Sequence, residues 1–154
     1  MELTKPGMAL TDVILDFFRV NSLLLLRGDR LVAGLGLTSA RWQVLGAIAY
    51  AQRPEPVAWL ARDLGSNRQN VQRIVNDLRK EGFVEFQPNP HHRRSQLVVL
   101  TDRGRAVFDQ AMQLWTPWAN NLAEGHALED IGAMAAMVKA LRRKLEQEHD
   151  ADQE

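Results

Sequence analysis

The feature that most constrains this chain is a change of hydrophobic period within residues 57–105. The apolar residues Val71, Ile74, Val75 and Leu78 follow the i, i+3, i+4, i+7 spacing of one buried helix face. A shorter helical pattern at 57–64 precedes them and ends at Gly65. From residue 83 the period falls to two, so 83–87 and 96–100 are predicted to be strands joined by a loop with a basic tip. The order of helix, turn, helix and hairpin is typical of a winged helix-turn-helix.

Long helical patterns flank this module. The first runs over 11–35 with Thr11 and Asp12 as its predicted cap, and the last runs over 128–148. Another helix is predicted from Thr38 or Ser39 to about residue 51, and a further one from Thr101 to about residue 124. Residues 53–56 hold two prolines and are predicted to be a rigid connector.

The fold class expected from these patterns is α+β and mostly α. A winged helix-turn-helix module at 38–105 stands between flanking helices at 10–36 and 106–148, in a single chain of 154 residues.

Charge is distributed unevenly although its sum is zero. Lys plus Arg and Asp plus Glu number 19 each, yet 57–105 holds nine basic and five acidic residues, so this module carries +4 and the flanks carry −4. A basic module between acidic flanks favours an anionic partner at the module.

Several classes of protein are excluded or disfavoured. The chain has no cysteine, which excludes disulfides, thiolate chemistry and zinc ribbons. Its longest apolar run, 23–26, is far shorter than a membrane span, and the first eight residues lack a leader pattern. We therefore expect a cytoplasmic protein with no membrane contact.

The helix at 68–80 presents long amides and cations opposite its apolar face. Amide side chains of Gln and Asn can bond adenine through N6 and N7, and Arg can fork onto guanine. Other cations on this helix and on the hairpin suit phosphates. The predicted DNA-binding residues are Arg68, Gln69, Asn70, Gln72, Arg73, Asn76, Lys80, His92, Arg93 and Arg94. The alternative is a merely solvated helix face, but that would favour Glu and Lys pairs.

No pattern of catalytic or metal-binding residues emerges. Gly34-Leu35-Gly36 follows a helix rather than a strand and is best explained as a helix stop. The four histidines form no HExxH arrangement, and no Gly-x-Ser-x-Gly elbow is present, although a dispersed Ser/His/Asp site stays open. We expect no catalytic residues, no metal and no cofactor.

Five segments together form a recognisable pattern. They are 37–45 (LTSARWQVL), 60–65 (LARDLG), 68–75 (RQNVQRIV), 78–82 (LRKEG) and 93–104 (RRSQLVVLTDRG). In these segments the chain resembles bacterial MarR-type transcriptional regulators. The resemblance covers 38 to about 108, and the flanking helices match by layout. It implies a homodimer whose outer helices form the dimer interface and whose winged modules bind double-stranded DNA, in most cases as a repressor released by a small ligand.

Two positions depart from the family pattern. His92 stands where an acidic residue usually precedes the wing arginines, which puts a wing salt bridge in doubt. Asn67 stands where serine is the commoner cap, and both side chains accept the same backbone hydrogen bond.

The aromatic residues suggest where an effector could bind. The resemblance implies a small aromatic or amphipathic effector, and Phe17, Trp42 and Trp115 are its candidate pocket. The alternative, which is the commoner use of such residues, is core or dimer packing. Trp59 lies off the apolar stripe of its short helix and is expected to be half exposed.

The sequence is thus interpreted as a homodimeric, ligand-responsive repressor that binds a pseudopalindromic promoter site. The rival hypothesis is a winged-helix module that binds another protein and no longer binds DNA.

Overall fold

The computed structural model describes residues 2–151. Within them the chain forms six α-helices and three short strands. The helices are α1 (Lys5–Val32), α2 (Ser39–Tyr50), α3 (Val57–Asp63), α4 (Arg68–Lys80), α5 (Asp102–Ala123) and α6 (Leu128–Ala151). The strands are β1 (Glu55–Pro56), β2 (Val84–Gln87) and β3 (Leu97–Leu100). The predicted class, α+β and mostly α with a winged helix-turn-helix, is confirmed.

The chain divides into two compact units. One extends from the N-terminus to Thr116 and holds α1 to α4, the sheet and most of α5, whereas the other begins at Pro117. Pro117 lies inside α5, where it lacks the amide hydrogen that would continue the helical ladder.

The sheet has one strand more than the sequence predicts. Its order is β1-β3-β2, with both pairs antiparallel. Glu55 pairs with Val98 and Pro56 with Leu97, so the segment predicted to be a connector is an edge strand. An edge strand tolerates proline because the missing amide hydrogen costs the ladder nothing on the outer side.

The start of α1 also differs from the prediction. The cap is Thr4, whose Oγ1 accepts a hydrogen bond from the Gly7 amide at 3.2 Å. Thr11, the predicted cap, lies inside the helix and donates its hydroxyl hydrogen to the Gly7 carbonyl at 2.8 Å. The helix ends at Val32, and a 3₁₀ turn follows before Gly36, whose φ is +71°.

The other predicted caps are confirmed where the structure tests them. Thr38 Oγ1 accepts from the Arg41 amide at 3.3 Å and begins α2. The Asn67 side chain accepts from the Asn70 amide at 2.7 Å and begins α4. The last helix runs to Ala151, three residues past the predicted end.

One apolar core organises the first unit. The predicted stripe of α4 (Val71, Ile74, Val75 and Leu78) is buried. It belongs to a cluster of buried side chains from α2, α3, the sheet and α5. Burying one face of α4 leaves its opposite face to solvent.

The N-terminus of α5 closes the base of the β2–β3 hairpin. Thr101 Oγ1 donates to the Gly82 carbonyl at 2.6 Å and accepts from the Gly104 amide at 3.0 Å. The Thr101 amide donates to the Phe83 carbonyl at 3.1 Å. Gly104 is buried directly against Phe83. The segment just before β2 and the segment just after β3 are therefore held together by contacts of Thr101 and Gly104 with Gly82 and Phe83.

A second junction joins α1 to α2. Asp29 Oδ1 accepts from the Ser39 amide at 2.6 Å, and Ser39 Oγ donates to the Leu25 carbonyl at 2.7 Å. Gly28 is buried at this contact, where an added Cβ would overlap Ser39 Oγ. The long first helix is therefore fixed to the helix-turn-helix module by hydrogen bonds at the start of α2.

We expect Gly104→Ala to lower the free energy of unfolding by about 3 kcal/mol or more. The new Cβ would overlap the backbone carbonyl oxygen of Phe83, which cannot rotate away as a side chain could. Gly34→Ala is the matched control, because nothing lies within 4 Å of its Cβ position. Chemical denaturation of both variants checks this, and equal midpoints would contradict the contact.

Candidate nucleic-acid interface

The exposed face of α4 holds an open, shallow depression between its own side chains, which we call the α4 groove. Gly65, with φ of +60°, lies in the turn between α3 and α4. Asn67 caps the N-terminal end of α4, where the groove begins. The residues that line the groove are Arg68, Gln69, Gln72, Arg73, Asn76, Asp77 and Lys80. Six of the predicted side chains are thus brought together, along with one carboxylate that the prediction did not include.

Asn70 differs from its predicted neighbours. It is half-buried and does not line the groove. Its Oδ1 accepts a hydrogen bond from Nη2 of Arg73 at 3.0 Å, and its Nδ2 donates to Ser66 Oγ at 3.4 Å. In this structure Asn70 orients the Arg73 guanidinium and links it to the turn before the helix.

A second pair lies one turn away. Gln72 Nε2 donates to Asn76 Oδ1 at 3.1 Å along the same helix face. Each amide keeps further polar groups available, since a glutamine or asparagine side chain offers two donor hydrogens and a carbonyl oxygen. The groove therefore presents both donors and acceptors, which is the pattern that base edges require.

The position of α4 is fixed at its C-terminal end by an ion pair. Arg41 of α2 lies 2.7 Å from Oε1 of Glu81, the residue that caps α4. Another nitrogen of the same guanidinium donates to the Gly36 carbonyl at 3.2 Å. Both partners are half-buried, and the contact ties α4 to the turn after α1.

The wing loop between β2 and β3 is organised by Asn89. Its Oδ1 accepts from the His91 amide at 3.0 Å, and its Nδ2 donates to the Ser95 carbonyl at 2.8 Å. Backbone bonds from His92 to Asn89 (3.2 Å) and from Ser95 to His92 (3.0 Å) complete two turns. Asn89 was not predicted, although an asparagine between two prolines is a turn signal.

The wing residues that the sequence predicts to contact DNA face solvent. His92, Arg93 and Arg94 are exposed, and within residues 2–151 none of the three forms an ion pair. The wing loop is therefore held by the hydrogen bonds of the Asn89 side chain and of the backbone. Because His92 and not an acidic residue precedes the two wing arginines, no carboxylate at that position neutralises their charges.

Arg79, which the sequence prediction omitted, lies beside the hairpin. Its guanidinium is 5.2 Å from the ring centroid of Phe86 on β2. This distance is within the range of about 6 Å at which a cation is attracted to a ring face. No periodic signal marks this pair, because Phe86 lies on the next element of the chain.

The candidate effector residues are partly brought together. Trp42 and Trp115 meet edge to face, with ring centroids 5.4 Å apart. Phe17 is 37% exposed on α1. The tryptophan contact supports the packing alternative for that pair, and a ligand role for the three residues stays a prediction.

Trp59 is 40% exposed, which confirms the expectation of half exposure. The guanidinium carbons of Arg53 and Arg62 lie 5.3 Å and 5.7 Å from its ring centroid. Beneath this cluster, burial raises the pKa of the Glu55 carboxyl, and the neighbouring Asp63 raises it further against the opposing effect of the two arginines. Oε2 of Glu55 is buried with no hydrogen-bond partner among the described residues.

Residues 2–151 contain no group of three or more His, Asp or Glu side chains that could hold a metal ion. None of the helices in this part of the chain is both long and apolar enough to cross a membrane.

The chain is similar to known proteins in both sequence and fold. A sequence model of the MarR family matches residues 35–95. An uncharacterized protein of Mycobacterium tuberculosis is 38% identical over 133 residues, covering 86% of this chain and 90% of that protein. The crystal structure of a MarR family transcriptional regulator from Streptomyces coelicolor has a TM-score of 0.74 and 26% identity, covering 94% of this chain and 98% of the other.

A third similar protein is the transcriptional repressor CouR of Rhodococcus jostii. Its structure bound to a 23-mer DNA duplex has a TM-score of 0.74 and 24% identity, covering 92% of this chain and 99% of the other. Another structure of CouR holds p-coumaroyl-CoA.

We expect Asn89→Ala to loosen the wing loop, because it removes two hydrogen bonds worth about 1 kcal/mol each. Hydrogen exchange at the His91 amide should become several-fold faster. Asn89→Asp is the companion variant, since it keeps the acceptor for the His91 amide but sets an oxygen instead of a donor against the Ser95 carbonyl. Equal exchange rates in wild type and the alanine variant would mean that Asn89 does not organise the loop.

Proposed function

The chain belongs to the MarR family of DNA-binding transcriptional regulators, and we propose that it is a homodimeric repressor of a pseudopalindromic promoter site, released by a small ligand. The family consists of regulators rather than enzymes. We propose that it works in the cytoplasm, where the DNA of a bacterium lies.

One observation supports the proposal most directly. The same module holds a groove on α4 that is lined by amide and arginine side chains and a wing loop that carries two arginines. In the proposed complex α4 enters the major groove. Gln69, Gln72 and Asn76 read base edges, and Arg73 forks onto guanine, because their side chains line the exposed groove. Arg68 and Lys80 at its ends, with His92, Arg93 and Arg94 on the wing, contact phosphates.

For Asn70 the structure suggests a role through its neighbour Arg73. Because it holds Arg73 rather than lining the groove, we propose that it is a positioning residue for DNA binding. Its substitution should act through the orientation of the Arg73 guanidinium.

Support for a homodimer comes from the apolar residues that the flanking helices expose. Monomeric proteins rarely leave large contiguous apolar patches in water. The large apolar side chains exposed on α1 are Met8, Leu10, Val13, Leu15, Phe17, Phe18, Val20, Leu23, Leu24, Leu25 and Leu26. Those exposed on α6 are Leu128, Met134, Met137, Val138 and Leu145. We propose that pairing of two chains buries these residues and sets two copies of α4 on one duplex.

The proposals of repression and of a ligand are supported by the similar protein CouR. That protein is named a transcriptional repressor, and its two structures hold a 23-mer DNA duplex in one case and p-coumaroyl-CoA in the other. We propose by analogy that a small aromatic or amphipathic effector controls this chain.

One experiment distinguishes the proposed DNA-binding repressor from the rival hypothesis, which is a winged-helix module that binds protein instead of DNA. Selection of bound sequences from random duplexes by the purified protein should recover a site with two-fold symmetry. Affinity for that site should fall steeply with salt, because cations on α4 and the wing displace counterions from phosphates. The rival would prevail if no duplex bound at low salt.

We expect Arg73→Ala to cost about 1–3 kcal/mol on the selected site and to relax its sequence preference, because a base contact is lost. Arg94→Ala should weaken binding to selected and random duplexes alike, because phosphates are common to both. Titrations of both duplexes with each variant measure this. Lys139→Ala on α6 is the control for loss of one positive charge outside the module. Equal losses for the two arginine variants on both duplexes would refute the division of roles.

We expect a dimer at micromolar concentration that contacts two half-sites about 10 base pairs apart, centre to centre. Phe18→Glu should raise the monomer fraction, because the ring is 68% exposed in the single chain and a charge at an apolar interface is costly. Sedimentation equilibrium and titration of full and half sites measure this. A monomeric wild type that binds a lone half-site as tightly as the full site would rule the dimer out.

A further inference from the structure

The junction between α1 and α2 depends on a single polar residue of α2. Ser39, the first residue of that helix, is 5% exposed. Both of its hydrogen-bond donors are directed to α1. Its Oγ donates to the Leu25 carbonyl at 2.7 Å, and its backbone amide donates to Asp29 Oδ1 at 2.6 Å. Because Leu25 and Asp29 are about one helical turn apart, Ser39 is held at two points along α1.

Each of these two bonds has a physical reason. A buried hydroxyl costs free energy unless it is hydrogen-bonded, and a helical carbonyl has a second lone pair with which it can accept from Ser39. The Ser39 amide is one of the donors at a helix start that have no partner inside the helix, and a carboxylate such as that of Asp29 is favourable there. Gly28 has no Cβ that would overlap Ser39 Oγ, so the two helices approach closely. The junction therefore fixes both the distance and the rotation of α1 against α2.

The N-terminal part of α1 has no comparable anchor within the single chain. The buried residues of this helix are Gly28 and Val32, both among its last five positions, and 5–27 contain no buried residue. At 1.5 Å per residue, about 35 Å of helix extends beyond the junction. A rotation of about 10° at the junction would therefore move the far end of the helix by about 6 Å.

We propose that Asp29 and Ser39 are positioning residues that set the separation of the two DNA half-sites that the protein accepts. This inference rests on the proposed function, in which exposed apolar residues of α1 help to pair two chains and each chain supplies one α4. The junction then sets the angle between the paired helices and the module that carries α4. One base pair more or less shifts a half-site by about 3.4 Å and rotates it by about 35°, so a loosened junction would accept separations that the intact one rejects.

The first measurement tests the junction without DNA. The chain has no cysteine, so spin labels can be attached at Asp12→Cys on α1 and Arg62→Cys on α3, two positions that are exposed in the single chain. Labelled protein is diluted into an excess of unlabelled protein so that only distances within one chain are recorded. Pulsed electron paramagnetic resonance should give a distance distribution at least twofold broader when Asp29→Ala or Ser39→Ala is added.

The second measurement uses duplexes that carry the selected site with its half-sites at the original separation, or one or two base pairs closer or farther apart. The wild type should lose at least tenfold in affinity when one base pair is added or removed, whereas Asp29→Ala and Ser39→Ala should lose less than threefold. All three proteins should bind a lone half-site equally within twofold, because α4 and the wing are unchanged. A variant that merely destabilised the fold would weaken binding to both kinds of site alike.

Two further variants serve as controls. Thr38→Ala removes the cap inside α2, a hydrogen bond from the Arg41 amide, but leaves the bonds of Ser39 to α1. It should therefore keep the spacing preference of the wild type. Asp29→Asn keeps an oxygen that accepts from the Ser39 amide, so it should restore the preference that Asp29→Ala loses.

The outcomes separate this inference from the proposed function. Distance distributions or spacing preferences that stay unchanged in both alanine variants would overturn the inference alone. The same holds for a wild type that tolerates altered spacing as well as the alanine variants do. A wild type that binds no duplex, or that binds DNA only as a monomer, would overturn the proposed function and this inference with it.

Discussion

Burial of one face of α4 is the constraint on which the rest of this structure depends. The apolar stripe of this helix is entirely buried and consists of Val71, Ile74, Val75 and Leu78. Because the helical period sets the direction of every side chain, burial of this stripe also determines where the side chains between these positions point. The amides and cations of α4 are exposed because their positions are out of phase with that stripe. Shape and chemistry of the groove therefore follow from the same 3.6-residue period that makes the core.

A helix held only by its apolar face could still rotate or slide, and a polar contact to another element limits this. Asn67 caps the first turn of α4 from within, whereas the half-buried pair of Arg41 with Glu81 holds the last turn to α2. The same Arg41 reaches the Gly36 carbonyl in the turn after α1. At the start of α2, Asp29 and Ser39 join that helix to α1. The long first helix is thus connected to the C-terminal end of α4 by a short chain of contacts through α2.

The sequence predicted what is local and periodic, and it missed what depends on distant partners. The stripe of α4 and the Asn67 cap lie within a few residues of each other, so pattern and capping rules suffice. Strand β1 is two residues long, contains Pro56 and pairs with residues more than forty positions away, so no local pattern marks it. Thr4 and Thr11 are both plausible caps, and α1 carries exposed apolar residues on many sides, so its pattern does not locate its first turn. Spacing alone cannot tell a side chain that lines a groove from one that bonds to its neighbour, so the hydrogen bond between Asn70 and Arg73 is visible only in the structure.

The hydrogen bonds within the groove bear on how such a surface separates sequences. In the protein alone Arg73 bonds to Asn70, and Gln72 bonds to Asn76. A base that takes over one of these groups replaces an existing bond, so the net gain is smaller than the strength of the new bond. A wrong base that offers no partner leaves the internal hydrogen bond in place, so the free energy of binding changes little at that pair of side chains. Strong discrimination must then come from groups that engage a base without giving up their internal partner. Arg73 can do this, because its guanidinium has five N–H donors and the bond to Asn70 uses one of them. In the proposed complex, Asn70 would therefore leave most of the guanidinium hydrogens available to a base and would restrict the directions in which they point.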